Sequence, residues 1–179
     1  GLLSAGKMQE ALGYLQSVET EMDSLSGQFC ANPYLNAVFA YYFGKLQEMG
    51  AECRTDIQIG EEELPYMELC QILSNGLENA YDALKGMDRE ERKVSVQMKY
   101  SRDCLLMRIR NRCSEELTVE KGTIPSTNKE GYDHGFGLAT IQEAAERLEG
   151  EMFCYTESGN FVLDVMLSCR SFRKNTAQR

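Results

Sequence analysis

Between Leu69 and Leu84 apolar residues recur at intervals of three and four, at Leu69, Ile72, Leu73, Leu77, Ala80 and Leu84. That is the period of a helix with one buried face, so a helix from about Leu64 to Leu84 is predicted to lie on an apolar layer. Two carboxamides, Asn75 and Asn79, stand one helical turn apart within this pattern, and Asp82 continues their stripe. Burying such groups without partners costs about 1–3 kcal/mol each. They therefore face solvent or serve a polar site. Carboxamide oxygens suit a hard cation such as magnesium. Glu78 falls on a different face of the helix and is the weaker candidate for metal contact.

Far downstream the chain reads His134-Gly135-Phe136-Gly137-Leu138. This is expected to be a glycine turn opening into a helix from Leu138 to Leu148, ended by Gly150. The free N–H groups and dipole of such a helix start favour anions, phosphate above all. Taken together, the two motifs suggest a site for a magnesium–nucleotide complex. Lys129 lies upstream, where a flexible ammonium could close on terminal phosphates; a solvated loop charge is the plainer reading. His134 is the chain's only histidine and is either a phosphate hydrogen-bond donor or an incidental loop residue. Asn111 ends an alternating strand, so its side chain is expected to emerge at a sheet edge. There it could accept from the exocyclic amine of adenine while donating elsewhere, or simply form a turn.

The remaining pattern frames these motifs. Met8, Leu12, Leu15, Val18, Met22 and Leu25 give a helix from about Lys7 to Leu25 whose stripe calls for a partner helix or the neighbouring domain. Asn32 reads as an N-cap with Pro33 at the first helical position, before an apolar face of Leu35, Val38, Phe39, Tyr42, Phe43 and Leu46 that stops at Gly50. Cys53 to Ile59, Val94 to Met98 and Leu105 to Ile109 alternate as strands, the last two joined by a turn at Ser101–Asp103. Met152–Tyr155 and Phe161–Leu167 flank Ser158-Gly159-Asn160 as a hairpin. The polar stretch from about Arg112 to Asp133 reads as a lid or a loop, and the tail after Cys169 as a polar end. The order predicts an α+β fold, a mixed and mostly antiparallel sheet covered on one face by helices.

Composition excludes other classes. A net charge of −9 argues against nucleic acid and anionic membranes as general partners. No run approaches the ~20 apolar residues that span a bilayer. G-x-x-x-x-G-K-[ST] is missing, so a P-loop enzyme is not expected. Seven scattered cysteines without a C-x-x-C spacing read as reduced, packed thiols rather than a zinc site. No Ser/His/Asp or Cys/His triad can be assembled. Gly1 opens inside helical sequence, which reads as a piece of a longer protein.

With those residues in view, the chain resembles the ATP-binding catalytic region of sensor histidine kinases, in the GHKL superfamily with its Bergerat-type two-layer sandwich. The nearest subtype in appearance is the peptide quorum-sensing receptor kinases. Leu73–Leu84 resembles the family's asparagine box, His134–Leu138 with Ile141 its second glycine box, and Thr127-Asn128-Lys129 the T-x-K element of its lid. Asn32 to Val38 resembles the junction between dimerisation helix and ATPase domain. The resemblance implies a second dimerisation helix in 1–28, an ATP-binding catalytic domain in 29–171 and a polar tail in 172–179. It implies ATP and magnesium as cofactors, metal ligation by Asn79 assisted by Asn75, and catalytic roles for Asn75 and Lys129. Nucleotide contacts would come from Asn75, Asn79, Asn111, Lys129, His134, Gly135, Gly137 and Leu138.

The first glycine box, D-x-G-x-G, is absent: the chain reads Asn111-Arg112-Cys113-Ser114-Glu115. Asn75 stands where ATP-hydrolysing relatives carry a glutamate base, which favours phosphoryl transfer to a protein. The phosphoacceptor histidine is expected on a helix preceding Leu2, beyond this chain. A homodimer through the N-terminal helix, a response regulator partner, an upstream membrane sensor and a cytoplasmic location follow from the same resemblance. The alternatives are a degenerate domain acting by dimerisation, and a related serine kinase acting on an anti-sigma antagonist.

Overall fold

The computed structural model describes residues 29–60, 63–114 and 135–170. The expected Lys7–Leu25 helix, Lys129, His134 and the polar tail lie outside the described residues.

Helix α1 is Pro33–Glu48. The Asn32 carboxamide oxygen accepts from the N–H groups of Tyr34 and Leu35, both at 3.0 Å, so the predicted cap is built as the sequence indicates. Asn36 accepts from the Phe29 N–H at 2.8 Å. This folds the entering chain back until the Phe29 ring sits 5.4 Å from Phe39 and 5.3 Å from Phe43. At the other end Gly50 takes a φ of +81°. Its N–H donates to Gln47, and that of Ala51 to Leu46, which closes the helix with its last carbonyls satisfied.

Then follow β1 (Glu52–Gln58), α2 (Tyr66–Lys85), a short 3-10 turn (Arg89–Glu91), β2 (Lys93–Ser101), β3 (Cys104–Arg112), α3 (Gly135–Arg147), β4 (Glu151–Glu157) and β5 (Asn160–Ser168). The sheet order is β1-β2-β3-β5-β4. Among the described strands only β1 and β2 run parallel, because α2 carries the chain back between them. Both hairpins close through two residues of positive φ, Arg102 and Asp103 in one, Ser158 and Gly159 in the other, the backbone that matches strand twist. The α+β expectation holds, as does the mixed sheet covered on one face.

Alternation decides that face. Val94, Val96 and Met98 of β2 and Leu105, Met107 and Ile109 of β3 are buried beneath the helices. On the opposite face Arg108 grips Asp164 of β5 through two bonds of 2.6 and 2.8 Å. Helix α2 lies between α1 and α3, and its six predicted inward residues are fully buried. Arg92 ties the layer together, donating to the Met49 carbonyl at 2.6 Å and the Met87 carbonyl at 2.9 Å.

One glycine expectation needs correction. Helix α3 begins at Gly135, so Gly135 and Gly137 form its first turn rather than a turn before it. The residue of positive φ after α3 is Glu149, at +50°. Gly150 ends the helix as expected, its N–H donating to the Ala145 carbonyl at 2.9 Å, and it is also required for space: a Cβ there would overlap the Met166 carbonyl oxygen.

Gly76 sets the depth of α2. A Cβ at this position would overlap the Ile109 Cδ1 methyl and stand 3.2 Å from Leu163 Cδ2. Gly76→Ala is therefore expected to lower stability by about 1–2 kcal/mol, despite a helix-propensity gain of roughly 1 kcal/mol. Ile109→Val alone should cost about 1 kcal/mol, and less or nothing once Gly76→Ala is present. Urea unfolding of the four proteins checks this; additive losses would contradict so close a seat.

Candidate functional site

The close seat of α2 leaves its carboxamides facing α3. A Cβ on Gly137 would stand 3.2 Å from Asn79 Oδ1, 3.4 Å from Asn79 Nδ2 and 3.7 Å from Asn75 Oδ1. Thus Gly137, in the first turn of α3, faces both asparagines, and three residues singled out separately in the sequence come together. Gly135 is the first residue of that turn. Leu138 is buried and anchors it in the core.

The two carboxamides differ in state. Asn75 Nδ2 donates to the Gln71 carbonyl at 2.8 Å, which leaves its oxygen toward Gly137. Asn79 Nδ2 is buried and has no hydrogen-bond acceptor among the described residues. An unmet buried donor costs about 1–3 kcal/mol and is uncommon in folded proteins. It is satisfied at no cost to the fold if a ligand brings an acceptor oxygen. The N–H groups of the first turn of α3 have no intrahelical acceptor and carry the positive end of the helix dipole. Carboxamide oxygens for a cation therefore lie beside N–H groups for an anion.

Gln71 escapes notice in the sequence, although it precedes Asn75 by one turn on the same stripe. Its side-chain oxygen also accepts from Arg147 Nη2 at 3.1 Å. Helix α3 is thereby held to α2 at its C-terminal end through Arg147 and at its start through Gly137. The i, i+4, i+8 run of Gln71, Asn75 and Asn79 was the available signal.

Asn111 is not at a sheet edge. It lies on β3, the central strand, in register with Val94 and Phe161, on the helix-covered face and 2% exposed. Counting by twos from Leu105 puts it there; the order of the strands, which makes β3 central, does not follow from local pattern. Its Nδ2 donates to the Arg112 carbonyl at 2.8 Å.

The other polar groups of α2 turn elsewhere. Glu78 lies 3.6 Å from Lys45 of α1, and burial, then the Glu78 carboxylate, push the Tyr42 phenol well above its ordinary range. Asp82 pairs with Lys85 at 2.5 Å. All seven cysteines are free thiols. Burial, then the Glu52 charge, push Cys53 up to about 11, and burial raises Cys30, Cys70, Cys113, Cys154 and Cys169. Such thiols are poor nucleophiles at neutral pH. Among the described residues no group of His, Cys, Asp and Glu could hold a metal, and no helix is long and apolar enough to cross a membrane.

The GHKL domain family matches residues 64–168, a span that contains Asn75, Asn79, Asn111 and the first turn of α3. The chain belongs to the GHKL domain family. A curated relative, the sensor protein CitS of Halalkalibacterium halodurans, is 26% identical over 170 residues, covering 86% of this chain and 30% of that protein. The chain thus spans under a third of the length of the curated relatives it matches. The catalytic domain of histidine kinase ThkA superposes with a TM-score of 0.61 at 15% identity, covering 79% of this chain and 93% of that one. ThkA in complex with response regulator protein TrrA gives 0.55 at 16% identity, covering 90% and 49%. At these identities the structural likeness is one of fold.

Gly137→Ala separates site from stability. The new methyl would press on the Asn79 carboxamide and shift it by a few tenths of an ångström, while alanine favours the helix by about 1 kcal/mol. The melting temperature is expected to hold or rise, and nucleotide affinity to fall about tenfold, the worth of roughly 1.4 kcal/mol. Calorimetry beside thermal unfolding checks both; affinity and stability falling together would mean that Gly137 serves packing only.

Proposed function

We propose that this chain is the ATP-binding catalytic portion of a sensor histidine kinase, passing the γ-phosphate of ATP to a histidine on a helix upstream of Leu2. The observation that carries this reading is that Gly137 faces the Asn75 and Asn79 carboxamides where a Cβ would crowd them, with one buried amide donor left for a ligand.

The residues present fit magnesium. Magnesium takes few protein oxygens when substrate phosphates supply the rest, and two carboxamide oxygens beside a helix start match that division. Asn79, assisted by Asn75, would hold it, and bound there it would supply positive charge against the phosphates. The chain's own groups do the positioning. Asn79 Nδ2 donates to a phosphate oxygen, the first-turn N–H groups of α3 receive the phosphates, and Asn111 Oδ1 receives the exocyclic amine of adenine. Lys129 and His134, outside the described residues, are proposed to close on the terminal phosphates. With no carboxylate at position 75 to activate water, transfer to a protein is favoured over hydrolysis. Rate enhancement then comes from alignment and electrostatic stabilisation.

The same reading takes residues 1–28 as a second dimerisation helix, 29–171 as the catalytic domain and 172–179 as its tail. It implies a homodimer, a response regulator as phosphate acceptor and a cytoplasmic position beneath a membrane sensor. The fold shared with ThkA, solved with its regulator TrrA, supports the regulator. The peptide-receptor subtype rests on the Asn32–Val38 junction and on Asn111 in the aspartate position. The missing first glycine box supports a second reading, a degenerate domain that works by dimerisation; the unmet Asn79 donor weighs against it.

Calorimetry of magnesium–ATP binding decides between them. The wild type is expected to bind in the micromolar-to-submillimolar range and Asn79→Ala to weaken binding at least tenfold, with EDTA abolishing it. A folded wild type that binds no nucleotide would leave the dimerisation module standing.

A further inference from the structure

Asn111 and Arg112 are neighbours on β3, so their side chains leave opposite faces of the sheet. They are nonetheless linked through one peptide group. Its carbonyl, on Arg112, accepts from Asn111 Nδ2 at 2.8 Å. Its N–H, on Cys113, donates to the Gly159 carbonyl at 3.1 Å. The turn that presents Gly159 is in turn held by the Arg112 guanidinium, whose Nη1 donates to the Ser158 carbonyl at 3.2 Å. Nη2 lies 3.7 Å from Glu91, on the far side.

This closed arrangement needs a glycine at 159. Its φ is +69°, and a Cβ there would stand 2.6 Å from Arg112 Nη1. The half-exposed guanidinium therefore has a built seat against the turn. An asparagine amide can rotate by half a turn and exchange its donor for its acceptor. With the 112–113 peptide fixed, Nδ2 is committed to the Arg112 carbonyl, and Oδ1 is the end left for a ligand.

We propose that Arg112, seated on the Ser158–Gly159 turn, is a positioning residue that fixes the orientation of the Asn111 amide and so sets the site's preference for a purine bearing an exocyclic amine. The inference rests on the nucleotide reading given above. A carboxylate, with two equivalent acceptors, needs no such device; an asparagine does. Arg112 touches no ligand and acts only through the peptide it stabilises.

Magnesium complexes of ATP and inosine triphosphate are the probes, since the second carries a carbonyl oxygen where the first carries an amine. The whole chain is titrated with each by calorimetry. The wild type is expected to prefer ATP, and Arg112→Ala to shrink the ratio of affinities about five- to tenfold, the worth of one hydrogen bond. Gly159→Ala, which crowds Nη1 from the turn, should move the ratio in the same direction. In an Asn111→Asp background Arg112→Ala should leave the ratio unchanged, because a carboxylate has no orientation to lose. That non-additivity is one a merely structural arginine would not produce. A ratio unaltered in folded Arg112→Ala, or altered equally in the Asn111→Asp background, overturns the inference, as does a wild type that binds both nucleotides equally. A wild type that binds neither overturns the nucleotide reading itself, and this inference with it.

Discussion

Helix α2 sits directly on the central strands because Gly76 has no side chain where Ile109 and Leu163 rise from the sheet. Burial of Leu69, Ile72, Leu73, Leu77, Ala80 and Leu84 holds it there. The rotation of the helix about its axis is fixed by the same contacts. Asn75 and Asn79 are therefore aimed sideways, into the junction with α3, and Glu78 toward α1. Each side chain's role follows from where one apolar stripe has to go.

The junction works by omission as much as by contact. Gly137 supplies no Cβ, and a Cβ there would come within van der Waals reach of two carboxamides. One of them is already tied to Gln71; the other keeps a buried donor without an acceptor among the described residues. A fold selected for stability alone would have little reason to retain that group, since an apolar side chain of similar size would fill the space at no desolvation cost. A ligand oxygen would resolve the imbalance. On the open face of the sheet, by contrast, Arg108, Asp164 and the Tyr155 hydroxyl are hydrogen-bonded to one another.

Much of this was legible in the sequence because it is local. The Asn32-Pro33 start of α1, the apolar face of α2 and the Ser158-Gly159 hairpin all depend on residues within a few positions of one another. Asn75 and Asn79 were legible as a pair for the same reason. What was not legible is long-range. That Gly137 would land on those asparagines depends on how α3 returns to α2. That Asn111 would be buried depends on β5 pairing with β3 and so making it central. Gly150 is the helix stop it reads as, but its clearance against Met166 and the positive φ of Glu149 beside it come from packing. In each case the residue type was a correct signal of something unusual, and only packing told which.

The most direct test of the account is to locate the metal by its magnetism. Manganese(II) can stand in for magnesium while the asparagine side-chain amides are followed by nuclear magnetic resonance. In the presence of ATP, the Asn79 and Asn75 amide signals and the backbone amides of the first turn of α3 are expected to broaden first. The same signals should persist with manganese alone. Residues of the open sheet face, such as Leu106 and Met166, should keep their linewidths throughout. Broadening centred elsewhere, or broadening that ignores the nucleotide, would contradict a metal–nucleotide site built on Asn75, Asn79 and Gly137.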